Sequence, residues 1–136
     1  MNSHPYLKTY MAGVLLPSWM LLVGIVGFVI LRTVFERPYY PLEQVLVYPM
    51  AVVPNLWGLW NVLYVALALD RRIPLGLWGA LLPLVLVPSA LALESALGVS
   101  LFSTREALTV LPLAIALYYL VWKHVVGFFN KVVGVR

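Results

Sequence analysis

From Met11 to Leu31 the chain runs without one Asp, Glu, Lys or Arg, and from Val45 to Leu69 it does so again. About 20 apolar residues in a helix cross the hydrocarbon layer of a bilayer. A third run, Ile73 to Leu93, is uncharged up to Glu94. A fourth, Ala107 to Trp122, is shorter. Val125, Val126, Phe128 and Phe129 extend its apolar pattern past Lys123 and His124, and the Lys123 stem reaches toward the headgroups. The sequence therefore predicts an all-α, polytopic integral membrane protein. It is expected to be a bundle of four transmembrane helices at about 11-31, 45-69, 73-97 and 105-129, a single domain over 1-136.

Composition agrees. Hydrophobic residues make up 63% of the 136 residues and charged residues 10%. A soluble domain is about a quarter charged, and a small one exposes too much surface to hide this much apolar area from water. The first run is too long for the core of a signal peptide. Arg32, Phe35, Glu36 and Arg37 follow it where a cleavage site would stand, so it reads as a retained signal anchor.

The formal charge is +4, yet no basic run exceeds Arg71-Arg72, so no phosphate-tracking stripe exists and nucleic acid is not an expected partner. The cations instead report topology. Lys8, Arg71, Arg72, Lys123, Lys131 and Arg136 fall on one side of the predicted spans, and Arg32, Arg37 and Arg105 on the other. Six against three puts both short termini in the cytoplasm of a multi-pass protein of the cell (inner) membrane.

Local signals punctuate the spans. Pro41-Leu42-Glu43 has the form of a helix start, with proline and a carboxylate in the first turn. Asp70-Arg71-Arg72 reads as a tight turn and Gly98 as a helix stop. Ser103-Thr104-Arg105-Glu106 has capping-box spacing. Every span holds proline: Pro17, Pro49 and Pro54, Pro83 and Pro88, and Pro112. Such prolines either kink an ordinary bundle or mark broken helices around a cavity. Gly24 and Gly27, Gly76 and Gly79, and Ser89, Ala92 and Ala96 are the small residues expected at close helix contacts.

The most informative stretch is the middle of the second span. At 100° per residue, Trp57, Trp60, Asn61 and Tyr64 share an arc of about 100°, and Asn55 lies about 120° from Asn61. Trp78 and Trp122 are expected at the interface, where indoles meet water. Trp57, Trp60 and Trp19 lie deep, where each N–H needs an acceptor. Two roles fit the face formed by Trp57, Trp60, Asn61, Tyr64 and Asn55. It staples the bundle by hydrogen bonds between helices, or it lines a contact for a lipid, quinone, pigment or partner.

Few other residues carry chemistry. Glu94 falls near the far interface, where Arg105 and Arg32 are candidate partners in an ion pair. His124, with His4, is a candidate axial ligand, the plainer reading being an interfacial polar residue. No metal site is expected. The absence of cysteine excludes thiol and Cys-zinc chemistry. The motifs G-x-S-x-G, H-E-x-x-H, P-loop and G-x-G-x-x-G are also missing. The expectation is thus not an enzyme but a non-catalytic accessory or structural subunit of a larger membrane complex. Its partners are membrane lipids, other subunits or further copies of itself. The alternative is a small transporter or channel protomer acting as a homo-oligomer, with Asn55 and Asn61 meeting the solute.

Overall fold

The computed structural model describes residues 4–34, 52–68, 70, 72–98 and 103–135. All its elements are helical. They form four helices, of which three are long and apolar enough to cross a membrane: Pro5–Val34, Leu75–Ala96 and Thr104–Val132. The other apolar helix, Val53–Ala68, is shorter. The rest of the predicted second span, residues 45–51, lies outside the described residues, as do the Pro41-Leu42-Glu43 signal, Pro49, Arg37, Arg71 and Arg136.

Helix α1, Pro5–Val34, is longer than the predicted 11-31. Pro5 suits its first position, because the missing N–H would have no partner there. Thr9 folds its Oγ1 back onto the Pro5 carbonyl at 2.8 Å. Pro17 lies inside α1 without ending it. Helix α2, Val53–Leu63, continues into one wide π turn, Tyr64–Ala68. A reversal follows, in which Arg72 takes a left-handed φ of 55° and the Ile73 N–H donates to the Ala68 carbonyl at 3.2 Å.

The expected single helix 73-97 is divided. Helix α3 is Leu75–Ala80 and α4 is Pro83–Leu97. Pro83 has no N–H to give the Gly79 carbonyl and crowds it. The chain tightens instead, with Leu82 N–H donating to Gly79 O at 3.0 Å and Leu84 N–H to Leu81 O at 3.1 Å. Gly98 stops α4 with φ 65°, a left-handed conformation in which a side chain would be strained.

Helix α5, Thr104–Val121, opens with the predicted capping box. The Ser103 hydroxyl accepts the Glu106 N–H at 3.2 Å, and the Glu106 carboxylate accepts the Ser103 N–H at 2.9 Å. A second π turn, Trp122–Val126, joins α5 to α6, Gly127–Val132.

Packing is uneven. The first half of α1 lies along α2, the α3 segment lies on α5 and the second π turn, and α4 meets α5. Two close approaches explain where the bundle is tight. A Cβ on Gly13 would stand 2.7 Å from the Trp57 carbonyl, so α1 and α2 touch backbone to backbone. A Cβ on Gly79 would overlap the Trp122 ring, and one on Gly76 would stand 2.9 Å from Tyr119. The core gathers Trp57, Leu82, Leu86, Trp122 and Val126. Trp122, expected at the interface, is fully buried, because Gly79 leaves room for its ring to enter.

Candidate functional site

The deepest polar feature joins α1, α2 and α6. Asn61 and Thr9 are 0% exposed and Asn130 is 5% exposed. One amide hydrogen of Asn61 goes to the Thr9 carbonyl at 2.8 Å, and the other to Asn130 Oδ1 at 2.7 Å. Asn130 Nδ2 returns a bond to Asn61 Oδ1 at 3.0 Å. The two carboxamides form a closed pair, and Asn61 has no donor left for a solute.

Beside this pair, Trp60 and Trp78 exchange bonds in the same reciprocal way. Trp60 Nε1–H donates to the Trp78 carbonyl at 2.9 Å, and Trp78 Nε1–H to the Trp60 carbonyl at 3.0 Å. Their rings stack at 5.1 Å with 28° between planes. Tyr64 donates to the Ile73 carbonyl at 3.2 Å and tilts against Trp78. Trp57 lies between Tyr118, at 5.1 Å, and Trp122, at 5.6 Å. The buried Nε1–H groups of Trp57 and Trp122 have no acceptor among the described residues.

Four of the five sequence-predicted residues of the second span, Trp57, Trp60, Asn61 and Tyr64, thus come together on the inside of this chain's own bundle. Asn55 does not join them. It is exposed, and its Oδ1 accepts from the Tyr10 hydroxyl. Trp19 is 63% exposed on the outer face of α1. An apolar cleft of about 150 Å³ between α1, α2 and α5 reaches Trp57 past Pro17, Met20 and Tyr118.

The remaining candidates are dispersed. Glu94 is buried, 8% exposed, at the end of α4. Arg105 and Arg32 are exposed, and among the described residues no ion pair joins either to Glu94. His124 is exposed on the second π turn, and His4 is exposed just ahead of α1 with φ 66°. Among the described residues no group of three His, Asp or Glu is placed to hold a metal ion. Lys123 holds its ammonium 5.6 Å from the centre of the Tyr119 ring.

Sequence reasoning missed Asn130. It lies one residue beyond the expected end of the fourth span and on no predicted face. Its signal is periodic only when the π turn is counted. One extra residue in a turn rotates everything after it by about 100°, which brings Asn130 inward. No protein-family model, curated protein or solved structure matches this chain.

Proposed function

We propose that this chain is a multi-pass protein of the cell (inner) membrane with both termini cytoplasmic, and that it serves as a non-catalytic structural or accessory subunit of a larger membrane complex. The observation that supports the subunit role is the division of α1 into two unlike halves. The first half buries Thr9, Ala12, Gly13 and Pro17. Among the described residues, none of the second half is buried. Trp19, Met20, Val23, Val26 and Leu31 are all more than half exposed, and a Cβ on Gly24 or Gly27 would meet no described atom within 4 Å.

Large apolar side chains exposed on a membrane helix face lipid at no cost. Glycine is different. It adds no packing surface toward lipid but lets another helix backbone approach closely. An open glycine pair beside large apolar side chains therefore fits a helix from a neighbouring subunit. The polar groups of the Trp60, Asn61 and Tyr64 face are spent within the chain, which favours the stapling role over solute contact for that face. The cleft at Trp57 is apolar and suits a lipid chain.

The test is extraction in a mild detergent, sizing of the native particle, and mass spectrometry of the chains that co-migrate. Other chains in fixed ratio are expected, and Gly24→Leu with Gly27→Leu should release them while leaving this chain folded. A particle containing this chain alone would overturn the subunit reading in favour of the homo-oligomeric transporter.

A further inference from the structure

The charged residues separate along the bundle. Helix α1 begins, and α2 and α6 end, at one and the same end, because Thr9 and Asn130 both accept from the Asn61 amide. The reversal after α2 lies there as well, held by the Ile73 N–H on the Ala68 carbonyl. Just past it, the Leu75 side chain would stand 3.5 Å from a Cβ on Gly127 of α6. Lys8, Arg72, Lys123 and Lys131 therefore gather at this end, with Asp70 the one carboxylate there among the described residues. At the opposite end stand Arg32 and Arg105 with Glu94 and Glu106. Among the described residues the first end thus has a cationic surplus and the second is balanced.

Arg72, Lys123 and Lys131 are exposed and Lys8 is half-buried. Among the described residues no ion pair joins any of them to a carboxylate. Lys123 lies 5.6 Å from the centre of the Tyr119 ring, a contact that steadies its charge without neutralising it. Lys8 and Lys131 each adjoin a partner of Asn61, so the clamp holds these two positions at one level on neighbouring helices. Lys8 precedes the uncharged run of α1, and Lys123 and Lys131 follow that of α5. At such a margin a spanning helix meets the phosphates of the lipid headgroups, and anionic leaflets attract Lys and Arg placed there. We propose that this end of the bundle binds anionic phospholipids, with their phosphates against Lys8, Arg72, Lys123 and Lys131. The proposal rests on the chain spanning a bilayer. It depends neither on the subunit role nor on the direction in which the termini face.

The probe is phosphatidylglycerol, with phosphatidylcholine of the same acyl chains as the comparison. The full chain is reconstituted in vesicles holding equal amounts of the two and extracted in a mild detergent. The lipids that stay bound are counted by native mass spectrometry. Insertion is checked separately, by resistance to extraction with alkaline carbonate. Each Lys or Arg at a headgroup layer favours an anionic lipid by about fivefold. Phosphatidylglycerol is therefore expected to be retained at least about fivefold over phosphatidylcholine, and less so as salt rises. Lys8→Gln with Lys131→Gln should lower that ratio severalfold. Arg32→Gln with Arg105→Gln removes the same charge from the opposite end and should leave the ratio unchanged. Three results overturn the proposal: an inserted chain with no preference, a preference untouched by Lys8→Gln with Lys131→Gln, or one lowered equally by both pairs. A chain that carbonate strips from the vesicles overturns the membrane-spanning reading beneath it.

Discussion

Asn61 and Asn130, separated by 69 positions in the chain, hold each other by two antiparallel amide bonds of 2.7 and 3.0 Å. The pair clamps the end of the last helix to the last turn of α2. The Thr9 carbonyl, on the second hydrogen of Asn61, adds α1 to the same clamp. Three segments distant in sequence meet at one buried side chain.

Breaking this clamp from one side is expected to be worse than removing it whole. Asn61→Leu leaves the Asn130 amide buried without its partner, at a cost of about 1–3 kcal/mol. Asn130→Leu does the same to Asn61. The double variant leaves no stranded amide and should lose less than the two single losses added. Thermal unfolding of the four proteins in one detergent measures the coupling. Strict additivity would mean that the two amides do not interact.

The second π turn sets the phase of α6. Deleting Val125, which lies within it, should restore regular α-helix and swing Asn130 by about 100° away from Asn61. The deletion is expected to destabilise at least as much as Asn130→Leu. Combined with Asn130→Leu it should add less than it does alone. A deletion as stable as the parent would show that the extra residue does not position the amide.

Glycines in the same protein are predicted to behave oppositely. Gly79→Ala forces a methyl into the Trp122 ring and should lower the unfolding temperature by several degrees, as overpacking of about 1–3 kcal/mol implies. Gly24→Ala meets no described atom within 4 Å. It should leave the isolated chain unchanged or raise its stability by up to about 1 kcal/mol, through helix propensity. If Gly24→Ala also weakens the native assembly, the open face of α1 is a contact with another chain.

The capping box gives a local prediction. Ser103→Ala removes the acceptor of the Glu106 N–H and one donor to the Glu106 carboxylate. About 1 kcal/mol should be lost, seen as faster amide exchange in the first turn of α5 and not in α1. Exchange that rises equally in both helices would place the effect elsewhere.

The absence of cysteine makes orientation directly measurable. Single cysteines at His4, Lys131 and Thr104 can be labelled in sealed cells with a membrane-impermeant maleimide. Thr104→Cys should react from outside, whereas His4→Cys and Lys131→Cys should react only after the membrane is opened. The reverse pattern would invert the proposed topology.

The features legible in the sequence are those decided by local chemistry. The uncharged runs announced the helices, Gly98 the stop of α4, and Ser103 with Glu106 the start of α5. The shared face of Trp57, Trp60, Asn61 and Tyr64 followed from helical periodicity. Partnerships were less legible. That Trp60 and Trp78 lend each other their backbone carbonyls depends on how tightly α2 and α3 approach, which no spacing encodes. Trp122 was expected at the interface because tryptophan prefers it, but Gly79, on another helix, opens a place for it in the core. Asn130 was hidden because periodicity assumes an unbroken 3.6-residue turn. Glu94 was expected beside Arg105 or Arg32, yet among the described residues no ion pair joins it to either, because spacing along one helix does not fix which charges a neighbouring helix brings near.

The length of α1 has a mechanical consequence. Between Lys8 and Arg32 it carries no charge over a rise of about 36 Å, whereas a typical hydrocarbon layer is about 30 Å thick. A spanning α1 must lean to bury that length, and it leans less as the bilayer thickens. Its lower half is locked to α2 at Gly13, so it does not swing alone. If α1 spans the membrane as proposed, a change in bilayer thickness would turn α1 and α2 together, with α1 as the lever between lipid and bundle.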